Sequence, residues 1–371
     1  MIKILFLIHD LGQGGAEKVL VNLVNNMDRA KFDISVTVLF GGGVNEQFLK
    51  PDIKYNAVWP REIPGNSRLM KILSPEKLHK ICVKDTYDIE VSYLEGPSAR
   101  VISGCRNPNT KLVSWIHIEQ KTKECFAQAF RSYDEAAKCY ARFDRLIAVS
   151  KTVAEDFAEL AKPQRSIKVL YNTNETQQIL RQCAEDVDEG VFNNDEIKLI
   201  GVGSLEKHKG FDRMISITNK LVSEGYAIHL YILGKGSQRS ALEDMVKEKQ
   251  IEEHVTFLGY QTNPYKYISK CDLFVCASLL EGFSTAATEA LILGVAVCTV
   301  EVSGMKEMLG ENNKFGIVTE NNEKALHQGI KNLLDDPKLL SRYKEKAAER
   351  GKVFSTEKTV RAAERMFEEL Q

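Results

Sequence analysis

Residues 197–236 read IKLIGVGSLEKHKGFDRMISITNKLVSEGYAIHLYILGKG. Two runs of apolar, β-prone residues, 197–203 and 227–233, enclose a helical segment, and a glycine-rich loop follows each run. Continuous apolar strands that alternate with helices are typical of parallel sheets that are covered on both faces. This stretch therefore predicts an α/β fold built on a parallel sheet.

The same alternation continues along the chain and forms two sets of strands. The apolar runs lie at 2–8, 33–39, 112–116, 145–149 and 167–171, and then at 197–203, 227–233, 255–258, 273–277, 295–300 and 315–319. One sheet holding every strand would be too wide, and 371 residues are enough for two cores. We expect two doubly wound, Rossmann-like domains: residues 1–175, residues 176–350, and a helix over 351–371 that packs back towards the first domain.

The composition excludes several classes of protein. With 43% hydrophobic residues and nine prolines, the chain is neither disordered nor collagen-like. A net charge of −1 and the lack of an aromatic-rich basic face predict no nucleic-acid partner. The eight cysteines form no C-x-x-C pair, which predicts reduced thiols and a cytoplasmic location. The apolar start is too short to span a membrane and has no cleavage signal, so it predicts a buried strand.

A glycine-rich loop, Gly12-Gln13-Gly14-Gly15-Ala16-Glu17, follows the first strand. A dinucleotide fingerprint here would need glycine at position 17, and the carboxylate of Glu17 would oppose a pyrophosphate. The loop therefore argues against a nicotinamide or flavin site. Two interpretations stay open: a glycine-lined floor where a ligand approaches the backbone, and a tight turn between strand and helix.

Three loops of the second half, 201–210, 233–239 and 280–290, each follow a strand. In an open parallel sheet ligands bind at the carboxyl ends of the strands, so these loops should share one edge. Glu281 and Glu289 are separated by about 12 Å if the segment is helical, too far for a glycosidase pair at about 5–9.5 Å. The spacing suits two ends of a nucleotide-sugar, with Lys209 at its diphosphate. The alternative is a helix-start residue and an ion-pair partner.

Residues 197–310 resemble the donor domain of glycosyltransferase family 4, which has the GT-B fold and retains the anomeric configuration of the sugar. The most specific motif is E-x7-E from Glu281 to Glu289, and the resemblance extends over nearly the whole chain. The other matching segments are 203–205 with 209–211, 233–236, 257–260, 263–265, 303–307, 12–17, 115–117, 148–150 and Asn172. The resemblance implies a GT-B fold whose two domains face a cleft.

The resemblance also implies roles for individual residues. The catalytic candidates are Glu281, which would face the donor sugar, and His117, which would reach the sugar or the acceptor. Glu289 would bind the ribose, and Lys209 would bind the diphosphate. The remaining donor-binding candidates are Gly14, Gly15, Gly203, Ser204, Gly234, Gly236, Tyr260, Gly282, Phe283 and Ser284. The family needs no metal, so no cofactor is expected beyond the nucleotide-sugar co-substrate, for which a UDP-sugar is the expectation.

Ser204 departs from the family, which usually has arginine there to pair with the donor phosphates. A serine supplies one hydrogen bond and no charge. Lys207, His208 and Lys235 are candidates to compensate. Weaker donor binding is one consequence to test, and a non-catalytic accessory subunit is another.

Residues 68–84 alternate basic and apolar side chains. Such a helix can lie on an anionic membrane surface, and lipid-linked acceptors are common in the family. An ordinary surface helix with lysines outward is the alternative. Residues 1–170, with 25 Lys and Arg against 20 Asp and Glu, form the basic half of the chain.

The resemblance implies a retaining, metal-independent glycosyltransferase. It would move a hexose or N-acetylhexosamine from a nucleotide-sugar to a saccharide or lipid-linked acceptor. On family grounds alone, capsule, exopolysaccharide or lipopolysaccharide synthesis is the expected pathway. The expected location is the bacterial cytoplasm, with the inner face of the plasma membrane as a further option. The alternatives are a nucleotide-sugar epimerase on the same fold and the accessory subunit.

Overall fold

The computed structural model describes residues 1–61, 70–192 and 196–371. The chain folds into two compact units, Met1–Asn174 with Thr356–Gln371, and Glu175–Ser355. The chain therefore passes from the first unit to the second and then returns. The boundaries expected from the sequence were 175 and 350.

The first unit contains a seven-stranded sheet in the order β3-β2-β1-β4-β5-β6-β7, and every neighbouring pair is parallel. Its strands are β1 Ile2–Ile8, β2 Phe32–Phe40, β3 Lys54–Trp59, β4 Ile89–Ser92, β5 Lys111–Ile116, β6 Arg145–Ala148 and β7 Lys168–Val169. The strand order reverses between β1 and β4, so the loops that follow these two strands flank the switch point of the sheet.

Each helix of the first unit buries at least one apolar side chain. They are α1 Gly15–Asn26, α2 Pro75–Cys82, α3 Pro97–Ile102, α4 Lys123–Phe126, α5 Tyr133–Tyr140, α6 Lys151–Ala161 and, from the C-terminal segment, α15 Thr356–Glu368. In α15, Phe367 packs edge-on against Phe6 of β1 at 5.7 Å and against Phe32 of β2 at 6.3 Å between ring centroids. These aromatic contacts fasten the returning segment to the first unit.

The second unit contains a six-stranded parallel sheet in the order β10-β9-β8-β11-β12-β13. Its strands are β8 Ile197–Val202, β9 Ile228–Leu233, β10 Val255–Gly259, β11 Leu273–Cys276, β12 Ala296–Val300 and β13 Ile317–Thr319. Its helices are α7 Thr176–Gln182, α8 Phe211–Ser223, α9 Arg239–Glu248, α10 Tyr265–Ile268, α11 Thr285–Ile292, α12 Met305–Leu309, α13 Glu323–Asp335 and α14 Pro337–Gly351. All six strands that the sequence predicted here are confirmed.

Two strands of the first unit were missed by the sequence analysis. Strand β3 lies at the edge of the sheet and its first three residues are exposed, so it carries no apolar run. Strand β4 is fully buried, yet polar Glu90 and Ser92 interrupt its apolar pattern. All eight cysteines lie in the described residues and none is in a disulfide. None of the helices among the described residues has both the length and the apolar composition needed to cross a bilayer.

Candidate active site

The switch point of the second sheet lies between β8 and β11, its two central strands. Ligands of doubly wound sheets bind at such a point, outside the carboxyl ends of the strands. The loop after β8 carries Gly203, Ser204 and Lys209, and the loop after β11 carries Glu281 to Ser284. The structure therefore places these sequence-predicted residues at one edge of one sheet.

Glycines allow the loops after β8 and β9 to pack backbone against backbone. The amide of Gly203 donates to the carbonyl of Leu233 at 3.0 Å. Gly234 has a φ of +149°, and a Cβ atom there would lie 1.8 Å from the carbonyl oxygen of Gly203. At Gly236 a Cβ atom would lie 2.5 Å from the carbonyl oxygen of Leu205. No side chain fits at these two glycines, which explains why this edge needs them.

Lys209 and Glu281 form an ion pair, with 2.7 Å between Nζ and Oε1. The hydroxyl of Ser278 donates to the same carboxylate oxygen at 2.8 Å. Their side chains are only 23% and 10% exposed, respectively. Gly210, at a φ of +68°, allows this approach, because a Cβ atom there would lie 2.2 Å from the carbonyl oxygen of Ala277. The residues expected to bind the diphosphate and the sugar, Lys209 and Glu281, are thus in direct contact.

Helix α11 begins after Ser284, and the Ser284 hydroxyl accepts a hydrogen bond from the amide of Ala287 at 3.3 Å. Phe283 is buried, and its ring lies 5.7 Å from that of Phe354. A Cβ atom at Gly304 would lie only 2.7 Å from the Phe283 ring. Phe283 therefore anchors the loop that holds Gly282 and Ser284 at the helix N-terminus, a role that the sequence analysis did not assign to it.

Glu289 lies in the second turn of α11 and is 4% exposed. The hydroxyl of Tyr265, in α10, donates to its carboxylate at 3.4 Å. Tyr265 was not among the predicted site residues, although the segment 263–265 was recognised as a motif. The signal that could have found it is its hydroxyl, because a buried carboxylate needs donors nearby.

Ser204 and Tyr260 both lie on the accessible side of this edge. Ser204 is exposed, and Tyr260 is 52% exposed with Lys235 Nζ 5.1 Å from its ring centroid. Lys207 and His208 are also exposed. All three candidates to replace the missing arginine charge are therefore accessible to an anion.

The first unit presents its glycine loop after β1. Gly14 is the extended residue before α1, and Gly15 begins that helix. Both are exposed. A Cβ atom at Gly14 would lie 2.0 Å from the carboxylate of Glu17, which folds back over this turn, and burial raises the pKa of Glu17. An anion at this helix end would meet the carboxylate of Glu17.

His117 follows β5 in the first unit and is buried against Tyr93, with 4.9 Å between ring centroids. Its backbone amide donates to the carboxylate of Glu95 at 2.9 Å. Within the part of the chain that the structure describes, Nε2 of His117 has no hydrogen-bond partner. Burial lowers the pKa of His117 to about 3, so its ring is neutral at physiological pH and can bind a hydroxyl group.

Glu95 is a site residue that sequence reasoning missed. It follows β4 at the switch point of the first sheet, and burial raises its pKa to about 7. The unrecognised strand β4 explains the omission, because without that strand Glu95 could not be placed at the ligand edge.

The chain matches two family models and many known proteins. "Glycosyltransferase Family 4" matches residues 13–178, and "Glycosyl transferases group 1" matches residues 184–350. The N-acetylgalactosamine-N,N'-diacetylbacillosaminyl-diphospho-undecaprenol 4-alpha-N-acetylgalactosaminyltransferase of Campylobacter jejuni is 30% identical over 98% of this chain and 98% of its own. The lipopolysaccharide core biosynthesis glycosyltransferase LpsD of Rhizobium meliloti is 23% identical over 95% and 94%.

Solved structures show the same architecture. Anabaena HepE in complex with UDP has a TM-score of 0.77 and 18% identity, over 99% of this chain and 100% of that one. Sucrose-phosphate synthase from Thermosynechococcus elongatus has a TM-score of 0.79 and 17% identity, over 100% and 99%. The two Rossmann-like domains are thus those of the GT-B fold. With a relative at 30% identity over nearly its full length, the chain belongs to glycosyltransferase family 4 and is a glycosyltransferase.

Proposed function

We propose that the protein is a retaining, metal-independent glycosyltransferase that transfers a hexose or N-acetylhexosamine from a UDP-sugar. The acceptor is a saccharide or a lipid-linked saccharide, and the pathway is the assembly of a bacterial cell-surface polysaccharide. The observation that carries the proposal is the Lys209–Glu281 pair at the switch point of the second sheet. A cation and a carboxylate side by side at this edge suit the diphosphate and the sugar hydroxyls of one donor.

The pair gives each partner a defined task. When a diphosphate binds, the ammonium group of Lys209 leaves the Glu281 carboxylate and donates to a phosphate oxygen instead. The new contact is also a charge-assisted hydrogen bond. Glu281, still near Ser278, can then accept hydrogen bonds from sugar hydroxyls. The amides of Gly282 to Ser284 lie at the N-terminus of α11, where the helix dipole favours negative charge. The leaving diphosphate is stabilised by Lys209 and this dipole, with no metal in the proposal.

The nucleoside is assigned to Glu289. Its buried carboxylate, oriented by Tyr265, would accept hydrogen bonds from two ribose hydroxyls, and Tyr260 would offer an exposed aromatic ring. Uridine is favoured because Anabaena HepE was solved with UDP. His117, neutral and with Nε2 available, would hydrogen-bond a hydroxyl of the sugar or the acceptor.

The acceptor and the location are assigned from relatives and from one surface. The Campylobacter relative is named for a diphospho-undecaprenol acceptor, and LpsD for the lipopolysaccharide core. In this chain Ile72 is 71% and Ile81 39% exposed, beside the lysines of α2. Of the predicted membrane segment 68–84, residues 68 and 69 lie outside the described residues. Apolar and basic side chains together suit an anionic bilayer, so we place the enzyme at the cytoplasmic face of the plasma membrane.

A donor screen tests the proposal. The protein is incubated with UDP- and other nucleotide-sugars, with lipid-linked and soluble saccharide acceptors, with and without EDTA, and products are identified by mass spectrometry and NMR. We expect transfer from one UDP-sugar, retained anomeric configuration and no loss in EDTA. Lys209→Ala should abolish donor binding, whereas Lys220→Ala, an exposed lysine near the far end of α8, should keep most of it. Equal effects of the two variants would overturn the assignment of Lys209.

The same assays separate the alternatives. An epimerase would convert the donor sugar without any acceptor. An accessory subunit would show no transfer alone and would keep its effect on a partner enzyme after Glu281→Ala. A transferase loses product formation in that variant, because the hydroxyls of the donor sugar lose the carboxylate that accepts their hydrogen bonds.

A further inference from the structure

A buried cluster in the first unit joins three side chains of different chemistry. His79 of α2 contacts Glu90 of β4, with 2.7 Å between Nε2 and Oε2. Cys105, just after α3, has its sulfur 3.7 Å from the other oxygen of Glu90. One ligand atom from each residue lies within 4.8 Å of the other two. The side chains of His79 and Glu90 are only 15% and 3% exposed, and Cys105 is buried as well.

Backbone packing brings the three residues together. Gly104 is pressed against the start of α2, where a Cβ atom would lie 2.0 Å from the carbonyl oxygen of Pro75. His79 lies about one helical turn after Pro75. Because Gly104 contacts Pro75, the next residue, Cys105, lies close to the His79 side chain. Arg142 holds this loop by donating to the Cys105 carbonyl at 2.6 Å. The position of the sulfur is therefore fixed by the backbone on both sides.

The geometry fits a tetrahedral metal ion. Zinc bonds of about 2.0–2.3 Å at tetrahedral angles separate neighbouring ligand atoms by about 3.3–3.6 Å. The Cys105 sulfur lies 3.7 Å from Oε1 of Glu90, close to that range, whereas the 2.7 Å between His79 Nε2 and Oε2 of Glu90 is a hydrogen bond that must widen when the ion enters. Imidazole nitrogen and thiolate sulfur select zinc over magnesium or calcium, which prefer oxygen.

Charge also favours the ion. A thiolate, a carboxylate and Zn²⁺ sum to zero, so the occupied site buries no net charge. Binding forms a zinc–sulfur bond in place of the thiol proton of Cys105 and a zinc–nitrogen bond in place of the Nε2 proton that His79 donates to Glu90, and both protons pass to solvent. We propose that His79, Glu90 and Cys105 bind one zinc ion, with water as the fourth ligand on the side where His79 is exposed.

The site is structural in this proposal, and it does not depend on the function proposed above. Glu90 is the second residue of β4, whereas Glu95 lies beyond the carboxyl end of that strand. The zinc ion therefore lies away from the ligand edge. It cross-links α2, β4 and the segment after α3.

Metal titration of the EDTA-treated, full-length protein tests the proposal. We expect one equivalent of Zn²⁺ by calorimetry and a higher melting temperature on binding. Co²⁺ at the same site should give a thiolate-to-metal charge-transfer band, which reports on the sulfur directly. Cys105→Ser should abolish the band and weaken zinc binding at least about 100-fold, and Cys125→Ser, at an exposed cysteine, should change neither.

Each result is decisive. His79→Gln provides a second variant if Cys105→Ser does not fold, and it should also weaken binding at least about 100-fold. The proposal is overturned if the wild type binds less than one equivalent, if the cobalt complex lacks the thiolate band, or if both variants bind zinc as the wild type does. In those cases the cluster is an ion pair beside a thiol.

Discussion

Removing Lys209 and Glu281 separately and together should reveal a strong mutual dependence. The variants are Lys209→Met, Glu281→Gln and the double substitution, which keep the size of each side chain. Lys209→Met leaves a carboxylate that is 10% exposed without its cation. Glu281→Gln leaves an ammonium group that is 23% exposed and can turn to water. We therefore expect Lys209→Met to be the more destabilising of the two.

The expected magnitude comes from the pair distance of 2.7 Å. Two unit charges at that distance attract by about 6 kcal/mol at an effective dielectric constant of 20, and by about 1.5 kcal/mol in water. Desolvation offsets much of the attraction for partly buried groups. We expect a coupling free energy of about 2 kcal/mol, with losses of about 3 kcal/mol for Lys209→Met, 1 for Glu281→Gln and 2 for the double variant.

Urea unfolding at low salt measures these values, and the chain supplies an internal control. Its two tryptophans, Trp59 and Trp115, both lie in the first unit. Tryptophan fluorescence therefore reports on the first unit, whereas far-UV circular dichroism follows both. The variants should shift the part of the circular dichroism transition that comes from the second unit. In a thermal melt of a unit of this size, about 2 kcal/mol corresponds to about 4–8 °C in melting temperature. If the losses of the two single variants sum to the loss of the double variant within about 0.5 kcal/mol, the reasoning is refuted, because a stabilising ion pair makes the effects of the two substitutions non-additive.

Four further predictions concern other residues. Gly234→Ala should lower the free energy of unfolding in urea by more than about 3 kcal/mol, because the new Cβ atom would overlap a backbone carbonyl oxygen. The control is Gly225→Ala, which is also at positive φ but has open space around it, and it should cost only about 1–2 kcal/mol. His117 contributes stability that is lost as pH drops from about 6.5 towards 3, since the unfolded state protonates at His117 and the folded state does not; His117→Gln should remove this loss. Glu95 contributes with the opposite sign, because its contribution is lost as pH rises from about 4.5 to about 7. The two contributions oppose each other between about 4.5 and 6.5, so the acid loss of the wild type should appear below about 4.5, and Glu95→Gln should extend it to about 6.5, as pH titrations of the unfolding free energy of each variant would reveal. Tyr265→Phe should weaken UDP binding about fivefold by calorimetry, because the buried carboxylate of α11 loses one donor of about 1 kcal/mol; unchanged affinity would argue against an ordered carboxylate.

The second unit was predictable from sequence because its strands carry continuous apolar runs, and several of them are buried on both faces. Residues such as those of β9, Ile228–Leu233, are all buried, and five of the six are apolar or aromatic. The start of α11 was predictable too, since Ser284 is a favoured N-cap residue. In these places local sequence and tertiary packing require the same residues.

The first unit was harder to predict because polar groups enter its core. Glu90 is buried in β4, where its partner His79 comes from a helix 11 residues earlier. No local pattern indicates such a pair, and without β4 the position of Glu95 was hidden as well. The ion pair between Lys209 and Glu281 joins residues 72 positions apart, so the sequence could name both residues but not their contact.

The return of α15 to the first unit has a consequence for how the protein is made. Residues 175–355 form an uninterrupted unit, whereas the first unit needs Thr356–Gln371 to cover Phe6 and Phe32. On the ribosome the first 174 residues must therefore wait, with part of their aromatic core uncovered, until the whole second unit has been translated. We therefore expect the domain that begins synthesis to finish folding last, with apolar surface exposed for longer.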